Sequence, residues 1–447
     1  MSKQNIKYKG WDVIALKNKW MTVCVAPNLG GRIIQLGLME EELLFNNVNL
    51  HGVDIASAGF KEKTNWLNFG GEKIWPAPQG WDSEQQWPGP PDVILDGGFY
   101  SVSTDNSDST AGDQVSLKSD VDPYTGLQIL KDITLSEDSS KILVKATFIN
   151  KSNKAKVWSI WPVIQLDTPD ITTIDRYKII CPLNPKSKFK DGFQVMHGLV
   201  NSPQYKVNSS GNFQVTNQYL VGKVGLDADA NWVAFCDKKI GNVLIATFEY
   251  DKKAIYPEDT SVQIWVQGKG LVYSRNRVNE YFEDPSKNFP YMEIELLSPL
   301  CEMQPDSQMT FEYQMLLCKI PEETEVITMN DVGVISSFMT IDVSDSCIQI
   351  KGKYGVFKEG VLKLVLNYDD VETILRKEPL IELEVSPAKG IDLAVELSDA
   401  LGFEGNEVSL SLQFFDLNNT YCGDLDHCTM LSRNKEIKNN TEKTYEK

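Results

Sequence analysis

Alternation with a period of two is the feature that most constrains this 447-residue chain. Ile142, Val144, Ala146 and Phe148 are separated by polar or small residues, as are Leu244, Ala246, Phe248 and Tyr250. Val262, Ile264 and Val266 repeat the pattern, and Val408, Leu410, Leu412 and Phe414 carry it into the last quarter. Side chains on a strand point to opposite faces in turn, so this spacing predicts strands with one buried face. Long segments at helical period with caps are scarce. Short alternating runs bounded by Asn, Asp, Gly and Ser predict an all-β sandwich or barrel.

The length exceeds that of an ordinary single domain. YQMLLCKIP closes a strand and PEETEV follows as a polar linker, so a boundary is expected near residue 320. The expected organisation is a large β domain over residues 1–319 and a small β-sandwich over 320–431. A charged, Asn-rich segment over 432–447 has little to bury and is expected to be flexible.

Acidic residues outnumber basic ones by 62 to 44, for a formal charge of −18. Nucleic acid and anionic membranes recruit Lys and Arg, so this surface disfavours both as partners. No run of ~18 uncharged apolar residues appears, so no membrane-spanning helix is expected. Lys3, Lys7, Lys9, Lys17 and Lys19 interrupt the start of the chain and no secretory apolar core follows, so a cytoplasmic location is the expectation. The eight cysteines are scattered, mostly in apolar strand-like runs, and read as free thiols. Cys422, His427 and Cys428 fit no zinc spacing. No metal or cofactor is implied.

Four tryptophans, Trp66, Trp75, Trp81 and Trp87, fall within 22 residues, among Asn65, Asn68, Gln79, Gln85 and Gln86. The segment is rich in Pro and Gly, which predicts a structured loop rather than a helix or central strand. So much indole in a loop either covers core or lines a groove. Flat aromatic surfaces interleaved with amides suit sugars, whose C–H faces stack while their hydroxyls take hydrogen bonds. Lys73, after Gly70, Gly71 and Glu72, is either a solvated loop lysine or a cation serving a site. YMEIELL places Glu293 and Glu295 on one face of a strand, roughly 7 Å apart, as a wet face or as a pair able to move a proton. QIWVQ sets Gln263, Trp265 and Gln267 against Val262, Ile264 and Val266, a face suited to a groove or a second packed interface. His51, His197 and His427 are the only histidines and none sits in a nucleophile motif; His51 and His197 read as structural.

Several of these segments carry a resemblance. APNLGGRIIQL (26–36) resembles an early strand pair of aldose epimerases. NFGGEKIWPAPQGW (68–81) closely resembles the signature of mutarotase-like proteins grouped as domain-of-unknown-function family 4380. WSIWPVIQL (158–166), VGKVGLDADANWVAF (221–235), AIYPEDTSVQIWV (254–266) and EIELLSPLCEMQPDSQMTFEYQMLL (293–317) follow in the family's order. The resemblance covers residues ~10–318. It implies a galactose-mutarotase-like β-supersandwich that binds an aldose or a sugar acid on the face of a large antiparallel sheet. Catalysis there takes a Glu, matched by Glu293 or Glu295, as base at the anomeric hydroxyl, and a His as acid at the ring oxygen. The expected sugar-binding set is Trp66, Asn68, Lys73, Trp75, Gln79, Trp81, Trp161, Gln165, Gln263 and Trp265. One departure stands out: where the family has its acid histidine, this chain has Trp161, with Gln165 the nearest polar side chain. An indole N–H is no acid near neutral pH. Either another acid substitutes, with Glu72 or Asp82 the candidates, or the protein binds sugar without transforming it.

Overall fold

The computed structural model describes residues 2–55, 66–103, 113–274, 278–343, 347–368, 379–398 and 408–430. The expected flexible segment 432–447 lies outside them. Among the described residues the regular structure is strand throughout, apart from two single-turn 3-10 helices, in keeping with the period-two pattern. Among the described residues no helix is long and apolar enough to cross a membrane.

The chain divides into two compact units. The first comprises Met1–Lys238 and Val243–Leu317, and the second comprises Lys239–Asn242 and Cys318–Lys447.

Two large antiparallel sheets dominate the first unit. In the first sheet, the site-bearing neighbours run Glu72–Ala77, Lys156–Asp167, Tyr291–Leu296, Val262–Gln267, Gly222–Leu226 and Gln194–Gly198. The second sheet places Gln308–Lys319 beside Lys141–Asn150, then Leu127–Leu135 and Asp113–Ser119. The inward faces carry the alternating apolar residues: Ile160, Ile164, Ile264, Met292 and Ile294 on one sheet, Ile133, Ile142, Val144 and Met315 on the other, all fully buried or nearly so.

Between the sheets lies an ionic cluster. Lys131 Nζ stands 2.6 Å from Glu72 Oε2, and the Tyr313 hydroxyl donates to Glu72 Oε1. Glu72 is on the first sheet, Lys131 and Tyr313 on the second, and none of the three is appreciably exposed. Burial pushes the Lys131 ammonium below its ordinary range, and the Glu72 charge works against that fall.

Residues 72–77 correct the loop expectation, since Glu72–Ala77 is an inner strand of the first sheet despite Pro76. It pairs with Lys156–Asp167 along its whole length, but with Arg32–Leu38 only at Glu72, opposite Ile33. Past that point one edge is unladdered, so a proline without an N–H is tolerated there. Pro162 stands likewise beyond the stretch of its strand paired to Tyr291–Leu296, which begins at Val163. Gly70 and Gly71 lead into the strand at φ 94° and 77°. A Cβ on either would strike backbone, Phe45 O at 2.0 Å and Ile33 O at 2.5 Å, so glycine is required at both.

Among the described residues, the second unit holds two four-stranded antiparallel sheets, one from strands within Thr328–Ser398 and one from strands within Gly360–Met430. Ile350, Val356, Leu362, Leu364, Leu412 and Phe414 pack between them. All eight cysteines of the chain are free thiols, four of them buried.

Candidate functional site

Residues directly opposite on neighbouring antiparallel strands share a face. The register aligns Gln165, Glu293, Trp265, Lys223 and His197 in one row across five strands, and Lys73, Val163, Glu295 and Gln263 in the next. These rows occupy the face of the first sheet turned away from Glu72. Strand alternation therefore separates Glu72 from Lys73, one residue apart, onto opposite faces. Glu72 is committed to Lys131 and Tyr313 between the sheets, which corrects its expectation as a substitute acid. Asp82 is exposed on the loop beyond Gly80 and does not line the cleft described next.

A cleft of about 250 Å³ opens on this face. Trp161, Trp265 and Trp81 supply its aromatic surface; Gln79, Gln263, Lys223, His197 and Glu258 its polar groups; Met196, Pro257 and Leu297 its apolar edge. Its size lies below the ~300–1,000 Å³ of pockets for drug-sized ligands and suits a single ring. Trp81 is 37% exposed and its indole donates to Pro88 O at 3.1 Å. Trp265 donates to Gln267 Oε1 at 2.9 Å, and the His197 ring stacks on it at 5.5 Å. His197 Nε2 lies 2.7 Å from Leu271 O. A carbonyl only accepts, so Nε2 carries a hydrogen. Gln263 Nε2 donates to Glu258 Oε2 at 2.9 Å and to Thr260 Oγ1 at 2.8 Å.

Glu295 lies beneath the cleft, 1% exposed. Its Oε2 accepts from Trp161 Nε1 and from Lys223 Nζ, each at 2.8 Å. Lys223 Nζ also lies 4.7 Å from the Trp161 ring centre. Cation, indole and carboxylate thus form one closed triangle, with two of its three members on the cleft surface.

Glu293 occupies a separate compartment. Its Oε1 accepts from Gln165 Nε2 at 2.8 Å and lies 3.6 Å from Lys73 Nζ, too far for a hydrogen bond. Lys73 is 1% exposed, 4.6 Å from the Trp75 ring and 5.9 Å from the Trp66 ring. Tyr291, Asn68 and Gln165 meet in the same place, where burial and then the Glu293 charge hold the phenol well above its ordinary range. Burial raises the Glu293 carboxyl and the Lys73 charge opposes the rise; burial lowers the Lys73 ammonium and Glu293 opposes the fall. Among the described residues, three buried polar atoms here have no hydrogen-bond partner: Lys73 Nζ, Gln165 Oε1 and Asn68 Oδ1. A buried polar group left so costs about 1–3 kcal/mol, more when charged.

The tryptophan segment splits between roles. Trp66 and Trp75 donate to the Asp96 carboxylate at 2.9 and 3.0 Å, and Arg32, fully buried, donates to Asp96 at 3.0 Å. Trp75 meets Trp161 edge-on at 5.3 Å, so this anchor backs the cleft wall. Trp87 is buried and donates to Asp92 at 2.8 Å. Of the four, Trp81 alone lines the cleft. His197, expected to be structural from its sequence neighbours, is a cleft residue, and Lys223 and Glu258 line the cleft without belonging to any local motif. Their signal lies in register, which places Lys223 opposite Trp265 and His197 opposite Lys223. Among the described residues no group of three His, Cys, Asp or Glu could hold a metal ion.

The first unit is therefore an all-β protein carrying an aromatic, amide- and charge-lined cleft on one face of a large antiparallel sheet. The chain belongs to the family described as domain of unknown function (DUF4380), whose model matches residues 12–317. No curated protein matches it. Among solved structures it is similar to the YeaD protein of Salmonella typhimurium, at 13% identity over 71% of this chain and 94% of that one, with a TM-score of 0.47. It is also similar to galactose mutarotase-like proteins of Clostridium acetobutylicum (9% identity, 71% and 99% covered, TM-score 0.43) and Lactobacillus casei (10%, 68% and 99%, 0.42).

Proposed function

We propose that the first unit binds one ring of a carbohydrate in the cleft walled by Trp161, Trp265 and Trp81. The observation that carries this reading is their combination with Gln79, Gln263 and Lys223 around about 250 Å³. Indole faces take the C–H surface of a pyranose, and amide and ammonium groups take its hydroxyls. Saturation-transfer NMR on the intact protein with a panel of monosaccharides tests it. Transfer to ring protons that disappears in Trp265→Ala is expected; absence of transfer from every sugar in the panel sinks the reading.

The chemistry this site supports is mutarotase-type exchange at the anomeric carbon. Ring opening needs one group to take the anomeric hydroxyl proton and another to protonate the ring oxygen. Glu295, bonded to two cleft residues, is the carboxylate nearest that role. His197 supplies an imidazole on the cleft surface, and so offers a candidate acid where an indole cannot serve. Anomer-exchange NMR on Glu295→Gln and His197→Gln tests the pair; unchanged exchange in both removes the catalytic assignment.

One observation favours binding without catalysis. The Glu295 carboxylate is 1% exposed and already accepts from Trp161 and Lys223. Under that reading Glu295 orients the two residues that touch sugar, and its substitution weakens binding without altering any rate.

A further inference from the structure

The Lys73–Glu293 compartment has no part in the cleft chemistry just described, yet it concentrates unsatisfied polar atoms. We propose that it is a second subsite, taking an uncharged, hydroxyl-bearing ring adjacent to the one in the cleft, so that the ligand is a neutral disaccharide or a longer neutral glycan. This rests on the reading of the cleft as a sugar site.

Three observations carry it. The first is the identity of the unpartnered atoms. Lys73 Nζ is a donor, while Gln165 Oε1 and Asn68 Oδ1 are acceptors. Lys73 and Gln165 are at most 1% exposed. A group that satisfies all three must both donate and accept at close quarters. Hydroxyls do this; a carboxylate or a sulfate only accepts, and an ammonium only donates.

The second is charge. Lys73 faces Glu293 at 3.6 Å and Lys223 faces Glu295 at 2.8 Å. Each cation already has its own anion, and the cleft adds the carboxylate of Glu258. An anionic sugar would bring a further negative charge to a place where every lysine is matched.

The third is spacing. Trp161, in the cleft, and Gln165, in the compartment, are four residues apart on one strand and point to the same face, roughly 13 Å at strand rise. Glu295 occupies the register row between theirs. The cleft volume holds one ring, so the same molecule reaches the compartment only through a further unit. Trp66 and Asn68 belong to the irregular chain ahead of the Glu72–Ala77 strand and are the partly exposed members of the compartment. Trp66 offers its ring 5.9 Å from Lys73 Nζ.

Calorimetric titration of the full chain with a neutral monosaccharide, the matching neutral disaccharide and a uronic-acid-containing disaccharide tests the proposal, in the wild type, Lys73→Met and Asn68→Ala. The expected result is at least tenfold tighter binding of the neutral disaccharide than of the monosaccharide, with that ratio falling to about one in both variants. The uronate disaccharide is expected to gain nothing over the monosaccharide. Thermal unfolding of each variant establishes that it is folded, and Asn68→Ala serves if Lys73→Met is not. Equal affinities for the two neutral ligands in the wild type overturn the subsite and leave it as a solvent compartment, with the cleft reading intact. Preference for the uronate overturns the charge argument and the proposal with it. No heat with any sugar overturns the cleft reading as well.

Discussion

Trp161 and Glu295 are joined by an indole N–H donated to a carboxylate oxygen across 2.8 Å, in a place where the carboxylate is 1% exposed. This bond helps to hold the late-strand carboxylate in place. Hydrogen bonds to a charged partner contribute about 1.5–3 kcal/mol. Trp161→Phe, which keeps an aromatic ring but removes the donor and some buried volume, is expected to lower stability by at least that amount in urea unfolding. A change under 0.5 kcal/mol would mean that Lys223 alone fixes Glu295.

Trp265→Ala removes the cleft's indole wall and the surface on which His197 stacks at 5.5 Å. Truncating a central aromatic anchor costs ~2 kcal/mol or more in binding. Sugar affinity should fall by roughly thirtyfold, read by calorimetry, with little effect on the unfolding midpoint. Undiminished affinity would place the sugar elsewhere.

Lys131→Met leaves Glu72 as an uncompensated charge between the two sheets. Breaking a buried pair from one side costs about 3–5 kcal/mol. The double variant Lys131→Met, Glu72→Gln should recover most of that loss, since it removes the stranded charge. Failure of the double variant to recover would show that packing, rather than charge, governs this cluster.

Glu293 and Lys73 give stability a pH signature. Burial raises the Glu293 carboxyl above its ordinary 4.5, so the folded protein keeps a proton that the unfolded chain releases. This contribution is full below pH 4.5 and is lost as pH rises through the folded value. Lys73 is lowered from its ordinary 10.5, so between its folded value and 10.5 the unfolded chain binds more protons and stability rises with pH. Difference curves of unfolding free energy against pH for wild type and Glu293→Gln, and for wild type and Lys73→Met, should slope in these opposite directions. Flat differences would show both groups titrating alike in the folded and unfolded chain.

A chain ending at residue 319 retains both large sheets of the first unit. It should unfold in one cooperative transition and keep the cleft's sugar response. A product without cooperative unfolding would make the second unit an integral part of the first.

Strand class and the pairing of faces were legible from period two alone, as in Val262–Gln267, where every odd-numbered residue faces the site and every even-numbered one faces the core. Residues 72–77 were not, because Pro and Gly argue against an inner strand unless a neighbouring edge is free, and edges appear only once strands have been assembled. The same limit hid Lys223 and His197. Each is an unremarkable polar residue within its own segment and acquires meaning from which strand it is laid against. The anchoring of Trp66 and Trp75 on Asp96 was equally invisible, since that carboxylate follows them by 30 and 21 positions.

Glu72 and Lys73 carry opposite charges on consecutive residues of one inner strand, and each meets its counter-charge on a different side of the sheet. Sliding this strand by a single position would bring ammonium against ammonium at Lys131 in one direction, or carboxylate against carboxylate at Glu293 in the other, a repulsion little screened at this depth. The dipeptide thus acts as a key that fits one alignment of the strand.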